Sequence, residues 1–143
     1  ILRPQLRNLS DRVSDWNERY SIVENSIRNT PNIKIIERDI DEHYVGSSFQ
    51  FIMPNLDGKK IKKFVHACGK RGVELKWFGA PEPKAFTSRY DSWAYAAPER
   101  LVRTDKVLAG LIDMRLPLTF SLKDCQLIGR IICNEAIKIK SEN

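Results

Sequence analysis

The sequence lacks long hydrophobic runs and has few cysteines. No stretch of its 143 residues reaches the roughly 18 consecutive apolar residues of a transmembrane helix, and no charged segment followed by an apolar run opens the chain. The three cysteines are odd in number, which does not fit a disulfide framework and indicates a reducing compartment. We therefore expect a cytoplasmic protein that makes no contact with a membrane.

Histidine is scarce as well, and neither of the two histidines stands in a pattern typical of a metal or catalytic site. His43 lies among Asp39, Asp41 and Glu42, but this spacing matches no known set of metal ligands. His66 lies in a basic segment, and neither histidine has a cysteine or serine partner that would nominate a nucleophile. We expect no metal site and no complete catalytic centre within this chain.

What the sequence does contain is a clear strand, helix and strand pattern in residues 45–79. Apolar residues alternate from 47 to 53, and residues 54–58 break the pattern. Residues 59–70 then place Ile61, Phe64 and Cys68 on one helical face, and apolar residues alternate again from 73 to 79. Because such a crossover makes its two strands parallel, we expect the strand predicted at 33–36 to lie between them, antiparallel to both.

The first 29 residues have the most regular apolar spacing in the chain. The apolar positions step by four and three without interruption: Leu2, Leu6, Leu9, Val13, Trp16, Tyr20, Val23 and Ile27. This predicts a helix of about 25 residues, roughly 38 Å long, that either lies across its own sheet or also bridges to another domain or subunit. Because the chain begins at Ile1 rather than at a methionine and enters this helix directly, we expect residues 1–143 to form a single domain that is a fragment of a longer chain.

The C-terminal part predicts two more helices separated by an extended segment. Thr104 can cap a helix that continues through Ile112, and residues 114–118 are extended because they precede or surround a proline. Ser121 and Asp124 then form a variant capping box. The last helix is expected to bury Leu122, Cys125, Ile128, Ile132 and Ala136. We therefore predict an α+β fold: three to four mostly antiparallel strands covered by the long N-terminal helix, the basic helix and the last helix.

The net charge of +6 is concentrated on the central helix. Six cations stand within thirteen residues: Lys59, Lys60, Lys62, Lys63, Lys70 and Arg71. A solvated helix face is the simplest interpretation, since these cations lie opposite the apolar positions. A nucleic-acid surface is not favoured, because no aromatic residues interleave with the lysines. The alternative function that this segment supports is a stand-alone basic α+β module for phosphate-bearing or nucleic-acid ligands.

Residues 86–95 combine four aromatic residues with one arginine. Arg89 lies between Phe86 and Tyr90, and Trp93 follows. A guanidinium against aromatic walls suits a carboxylate or phosphate, which it can bind through two parallel hydrogen bonds. A structural arginine that satisfies backbone carbonyls or Asp91 is the alternative.

The order of these segments resembles the C-terminal domain of a pyridoxal-phosphate-dependent aminotransferase of the DegT/DnrJ/StrS type. The resemblance covers nearly the whole chain and rests on the order and spacing of its segments, since no single motif is diagnostic. The segments that carry it are the helix opening at residues 2–6, the strand at 46–51, the segment 72–79, the loop 86–93, residues 101–105 and residues 115–118 before the last helix.

The resemblance implies a specific function and places most of the catalytic apparatus elsewhere. Such enzymes are homodimers that transfer an amino group from an amino acid to a keto or keto-sugar acceptor, and their small C-terminal domain closes over a cofactor held by a large domain. The cofactor-binding lysine of the family usually follows a serine by three residues, a spacing that occurs nowhere in this chain. We therefore expect the fragment to be inactive and to bind no pyridoxal phosphate by itself.

The resemblance also nominates substrate-binding residues. If an arginine of this domain holds the substrate carboxylate, Arg89 is the first candidate, with Tyr90 and Trp93 as pocket wall. Arg115 is the second candidate, for which a structural ion pair is the alternative.

Overall fold

The computed structural model of the chain describes residues 6–54, 56–82, 94–95 and 99–141. In chain order, its elements are α1 (Leu9–Ile27), β1 (Lys34–Ile35), β2 (Ser48–Ile52), α2 (Gly58–Lys70), β3 (Lys76–Trp77), α3 (Val102–Leu108), β4 (Leu111–Arg115) and α4 (Leu122–Ser141).

The four strands form one antiparallel sheet in the order β1-β2-β4-β3. Its centre is the five-residue pairing of β2 with β4, from Ser48 opposite Arg115 to Ile52 opposite Leu111. The predicted α+β class is confirmed. The predicted strand order is wrong: β4 lies between β2 and β3, and β1 is an edge strand.

The error in strand order follows from the segment that precedes β4. The helix predicted from Thr104 through Ile112 ends at Leu108, begins after Leu101 without a side-chain cap, and gives way to β4 at Leu111. Gly110 explains the change, because Met53 N–H donates to its carbonyl at 2.9 Å and a Cβ there would lie 2.8 Å from Met53 O. The chain therefore passes too close to the end of β2 for a side-chain-bearing residue.

The long N-terminal helix is shorter than predicted. Helix α1 begins at Leu9 and is preceded by a turn at residues 7–8, where Asn8 has φ −110° and ψ 23°. The apolar residues predicted to line one face of this helix differ in burial. Its C-terminal members Tyr20, Val23 and Ile27 are buried, whereas Leu6 is 61% and Leu9 48% exposed.

The core lies between one face of the sheet and a layer of three helices. Phe49 and Phe51 of β2 face the helices together with Ile112 and Met114 of β4, and all four are buried. The helices contribute Tyr20, Val23, Ile27, Ile61, Phe64, Cys68, Cys125, Ile131, Ile132, Ala136 and Ile139. Ring centroids of Tyr20 and Phe49 lie 4.7 Å apart, which fixes α1 on the sheet. The packing of α1, α2 and α4 on the sheet agrees with the sequence prediction.

Two helix starts are fixed by side-chain caps. Asp57 Oδ1 accepts from Lys60 N at 2.8 Å at the start of α2. The capping box predicted at Ser121 is present, since Asp124 Oδ2 accepts from Ser121 N at 2.8 Å and Ser121 Oγ accepts from Asp124 N at 3.2 Å. Within the described ranges, no helix combines the length and apolar character that crossing a bilayer requires.

Candidate functional site

Of the four predicted substrate-binding residues, one lies within the described residues and three lie outside them. Arg89, Tyr90 and Trp93 lie outside the described residues. Arg115 is described: it is the last residue of β4, is exposed, and lies opposite Ser48 of β2. The structure therefore positions one of the four candidates.

Arg115 belongs to the sheet face that points away from the three helices. Because side chains alternate along a strand, each residue directly opposite Arg115 or two places away lies on that face. The face carries Lys34, Ser48, Gln50, Ile52, Lys76, Leu111, Asp113 and Arg115. An antiparallel sheet with one apolar and one polar face is typical of a two-layer domain, and here the polar face carries charge of both signs at its centre.

Asp113 occupies the middle of this polar face. It lies opposite Gln50 on one neighbouring strand and opposite Lys76 on the other. Its side chain is largely buried, and Gln50 Nε2 donates to Asp113 Oδ1 at 3.2 Å. A buried carboxylate with a defined amide donor is held in one orientation, which suits a positioning role on this face.

Sequence reasoning missed Asp113 and Gln50. The sequence pattern predicts a helix through residues 111 and 112, and a helix there does not show on which face of a sheet Asp113 lies. One signal was present in the sequence: Asp113 is an acidic residue between the apolar residues Ile112 and Met114. A carboxylate inside a strand is unusual unless it has a partner.

A groove opens beside Arg115 at the carboxyl end of β4. Its volume is about 400 Å³, and it continues onto the connection between α2 and β3. Glu74, Lys76 and Arg115 give it charged groups, whereas Phe120 and Ile128 are among its apolar walls. Cations beside an apolar wall are suited to a small ligand that bears a carboxylate, because the ligand's apolar part and its charge both find partners.

The described residues do not fit a pyridoxal phosphate site. The cofactor needs a lysine amine enclosed next to it, and every lysine side chain that the structure describes is exposed or half-buried. Lys76 is the one lysine in the groove beside Arg115, and it lies on a strand without a serine three residues before it. We derive no step that uses this cofactor from the residues of this chain.

In the described part of the molecule, the side chains form no metal site, and two of the three cysteines are buried. In those ranges, His, Cys, Asp and Glu side chains form no group of three that could hold a metal ion. Burial, with a smaller contribution from nearby Glu135, raises the pKa of the Cys68 thiol to about 12. Burial also raises the pKa of Cys125. Thiols with raised pKa values are poor nucleophiles at neutral pH.

The fold places the chain among known structures. No protein-family model and no curated protein matches it. Among solved structures, it is similar to the aminotransferase TlmJ from Streptoalloteichus hindustanus, with 14% identity and a TM-score of 0.76. It is also similar to the sugar aminotransferase CalS13 from Micromonospora echinospora (12%, TM-score 0.71) and to a DegT DnrJ EryC1 StrS aminotransferase from Brucella abortus (13%, TM-score 0.65).

These similarities cover most of this chain and a minor part of the others. The matches include 96%, 90% and 92% of this chain but 35%, 32% and 33% of the three structures. The chain thus spans about a third of the length of the proteins that it resembles. The resemblance to DegT/DnrJ/StrS-type aminotransferases is confirmed at the level of the fold.

Proposed function

We propose that this chain is the small, closing domain of a pyridoxal-phosphate-dependent aminotransferase that acts as a cytoplasmic homodimer. The observation that carries the proposal is the fold similarity over 96% of this chain to about a third of an aminotransferase, 35% in TlmJ. The remaining length of such an enzyme would be the large domain that holds the cofactor. The cofactor supplies the electron sink for amino transfer when it is bound there.

The exposed end of α1 supports a contact with a further domain. Leu6 and Leu9 continue the apolar spacing of Tyr20, Val23 and Ile27, yet both are substantially exposed. An apolar stripe of this kind would be covered in a longer protein, because burial of apolar side chains is favourable by about 25 cal/mol per Å².

The role of this domain in the proposed reaction is to bind and orient the amino-acid substrate. Arg115 stands at a groove with apolar walls, so its guanidinium would pair with the substrate carboxylate while the walls exclude water. Asp113 and Gln50 would position the polar face on which Arg115 lies. Arg89, with Tyr90 and Trp93, is proposed to complete the same carboxylate site from the loop that follows β3.

The proposal is tested in the full-length protein encoded by the source gene. Purified protein should convert an amino donor such as glutamate and a keto acceptor in a reaction that depends on pyridoxal phosphate, whereas the 143-residue chain should not. A full-length protein with no aminotransferase activity against a panel of donors and acceptors contradicts the proposal.

Two substitutions then test the arginines. Arg115→Gln and Arg89→Ala should each raise the KM for the amino donor or lower kcat/KM by about tenfold or more, because a lost charge-assisted pair costs roughly 1.5–3 kcal/mol. Arg130→Gln, on an exposed position of α4, is the matched control. Unchanged kinetics in either variant removes that arginine from the site without affecting the aminotransferase assignment.

A second candidate function is a stand-alone basic module for phosphate-bearing ligands. It is favoured by one observation: Lys59, Lys62 and Lys70 are exposed on one side of α2, which contains no acidic residue. Binding of an oligonucleotide that weakens steeply with rising salt would support this function. Absence of such binding at physiological salt would exclude it.

A further inference from the structure

A trough runs between the flank of α2 and the outer edge of β3. It consists of three adjoining cavities of about 470, 350 and 540 Å³, and Lys62 lines all three. Its apolar floor is formed by Val65, Leu75 and Trp77. β3 is the last strand of the four-stranded order and pairs with β4 on one side.

The backbone of β3 presents hydrogen-bonding groups to this trough. Phe78 N donates to Leu111 O at 3.0 Å, and the register pairs Trp77 with Ile112. Hydrogen-bonded and non-hydrogen-bonded pairs alternate in an antiparallel ladder, so the N–H groups of Leu75 and Trp77 point away from β4. Among the described residues, neither group has a backbone partner. The carbonyl of Trp77 already accepts from Ala80 N at 3.3 Å, so an added strand would pair with the N–H groups of Leu75 and Trp77.

The wall opposite this edge is positively charged. Lys62, His66 and Lys70 of α2 face the trough, and Lys62 and Lys70 form no ion pair within the described part of the chain. Glu74 and Glu82 also line the trough, at its β3 side and beyond Trp77. The two lysines of the α2 wall, Lys62 and Lys70, are eight residues or about two helical turns apart, with no carboxylate on the helix between them.

The floor of the trough is fixed before any ligand arrives. Trp77 Nε1 donates to Ala109 O at 2.8 Å. A Cβ on Gly58 would lie 3.1 Å from the indole, and one on Gly79 would lie 2.6 Å from its nitrogen, so the two glycines leave the room that the ring occupies. A preorganised site loses less conformational entropy when a ligand binds.

We infer that the trough is a docking site for an extended acidic peptide of another protein, which adds to the edge of β3 and places its carboxylates against Lys62 and Lys70. An extended strand offers carbonyl oxygens on one edge, which can accept from the N–H groups of Leu75 and Trp77. A nucleic acid fits less well, because its phosphate backbone has no donors and the trough has a single indole whose N–H is already used. The lysines of the α2 wall favour an acidic strand over a neutral or basic one.

The test uses the 143-residue chain and a fluorescein-labelled peptide of about eight residues that alternates Glu and Val, long enough to span the edge at roughly 3.3 Å per residue. Fluorescence anisotropy at physiological salt should show saturable binding. The double variant Lys62→Glu/Lys70→Glu should weaken it at least about tenfold, since each 1.4 kcal/mol is a factor of ten. Lys106→Glu/Lys123→Glu, at exposed positions of α3 and α4, makes the same charge change away from the trough and should leave binding within about twofold.

Two further measurements separate strand addition from simple charge attraction. Amide hydrogen exchange of Leu75 and Trp77 should slow when the peptide binds, because both N–H groups gain acceptors. A peptide with N-methyl groups on alternate residues should bind weakly although its charge is the same.

Several results would overturn the inference. Equal weakening by the two double variants, equal binding of the methylated peptide, or no binding of the acidic peptide would each do so. Tighter binding of an oligothymidine would assign the trough to nucleic acid, and concentration-dependent self-association blocked by Lys62→Glu/Lys70→Glu would assign it to a second copy. Circular dichroism of each variant establishes that the fold is retained.

Discussion

Replacing Glu135 by glutamine should destabilise the domain in a way that depends on pH. Glu135 of α4 accepts from Arg71 at the end of α2 at 2.8 Å and from Lys138 at 2.7 Å. Its side chain is 8% exposed, whereas those of Arg71 and Lys138 are 39% and 64% exposed. The ion pair with Arg71 therefore joins α2 to α4. Its carboxylate is buried, whereas the two cations are exposed to solvent.

The exposure of the two cations sets the size of the expected effect. A hydrogen bond to a charged group contributes about 1.5–3 kcal/mol, and solvent screening of exposed cations reduces this. We expect Glu135→Gln to lower the free energy of unfolding by about 1–2 kcal/mol at pH 7. For a domain of this size this corresponds to roughly 3–7 °C in Tm.

The pH dependence follows from the direction of the pKa shift. Hydrogen bonding from Lys138 and Arg71 lowers the pKa of Glu135 below its ordinary value of 4.5, against the opposing effect of burial. The carboxylate therefore stabilises the fold above pH 4.5, and this contribution is lost as the pH falls through the lower folded-state pKa. Urea unfolding of both proteins between pH 7 and pH 3.5 should show a gap in stability that is constant above about pH 5 and narrows below it.

Glu18→Gln is the matched control, because Glu18 is exposed on α1 and should change stability by less than about 0.5 kcal/mol. A gap of the same size at pH 7 and pH 3.5, or no gap at pH 7, would refute the role assigned to the Glu135 carboxylate.

Three further outcomes follow from the packing. Gly46→Ala should destabilise by about 1–3 kcal/mol in urea melts, because its Cβ would lie 2.6 Å from Tyr20 Cβ, whereas Gly69→Ala, with nothing within 4 Å, should be neutral or stabilising. Phe51→Ala should cost about 3–5 kcal/mol of unfolding free energy, since the ring is fully buried. In a thiol-labelling time course at pH 8, half-buried Cys133 should react before Cys68, whose pKa is about 12; earlier reaction of Cys68 would contradict its burial.

The parts of the fold that could be predicted from the sequence are those with one strong local pattern. Residues 47–53 alternate, and the helix after them has its apolar residues on one face, so β2 and α2 were predicted almost to their ends. The capping box at Ser121 was recognised because both of its members lie within four residues. Local hydrogen bonds of this kind are visible in any sequence that contains them.

The strand order could not be predicted in the same way. It depends on β4, whose first residues Leu111 and Ile112 fit the apolar spacing of a helix as well as that of a strand. The structure decides between the two, because the backbone of Gly110 lies against that of Met53 and leaves no room for a Cβ. The polar face built around Asp113 depends in turn on the register of three strands, which long-range pairing decides. Trp77 and Lys62 are 15 positions apart in the sequence, so it could not be predicted that both line the same trough.

The burial of only one end of α1 has a mechanical consequence. The C-terminal end of the helix is anchored in the core through Tyr20, Val23 and Ile27, and the Tyr20 ring packs on Phe49 of β2. A helix of 19 residues is about 28 Å long at 1.5 Å per residue. If α1 and the sheet move as one rigid body, displacing the exposed end of the helix by about 2.5 Å tilts the sheet, with Asp113 and Arg115 on its polar face, by about 5°. In such a motion, a displacement at the exposed end of α1 would be transmitted through the core to the polar face that carries Arg115.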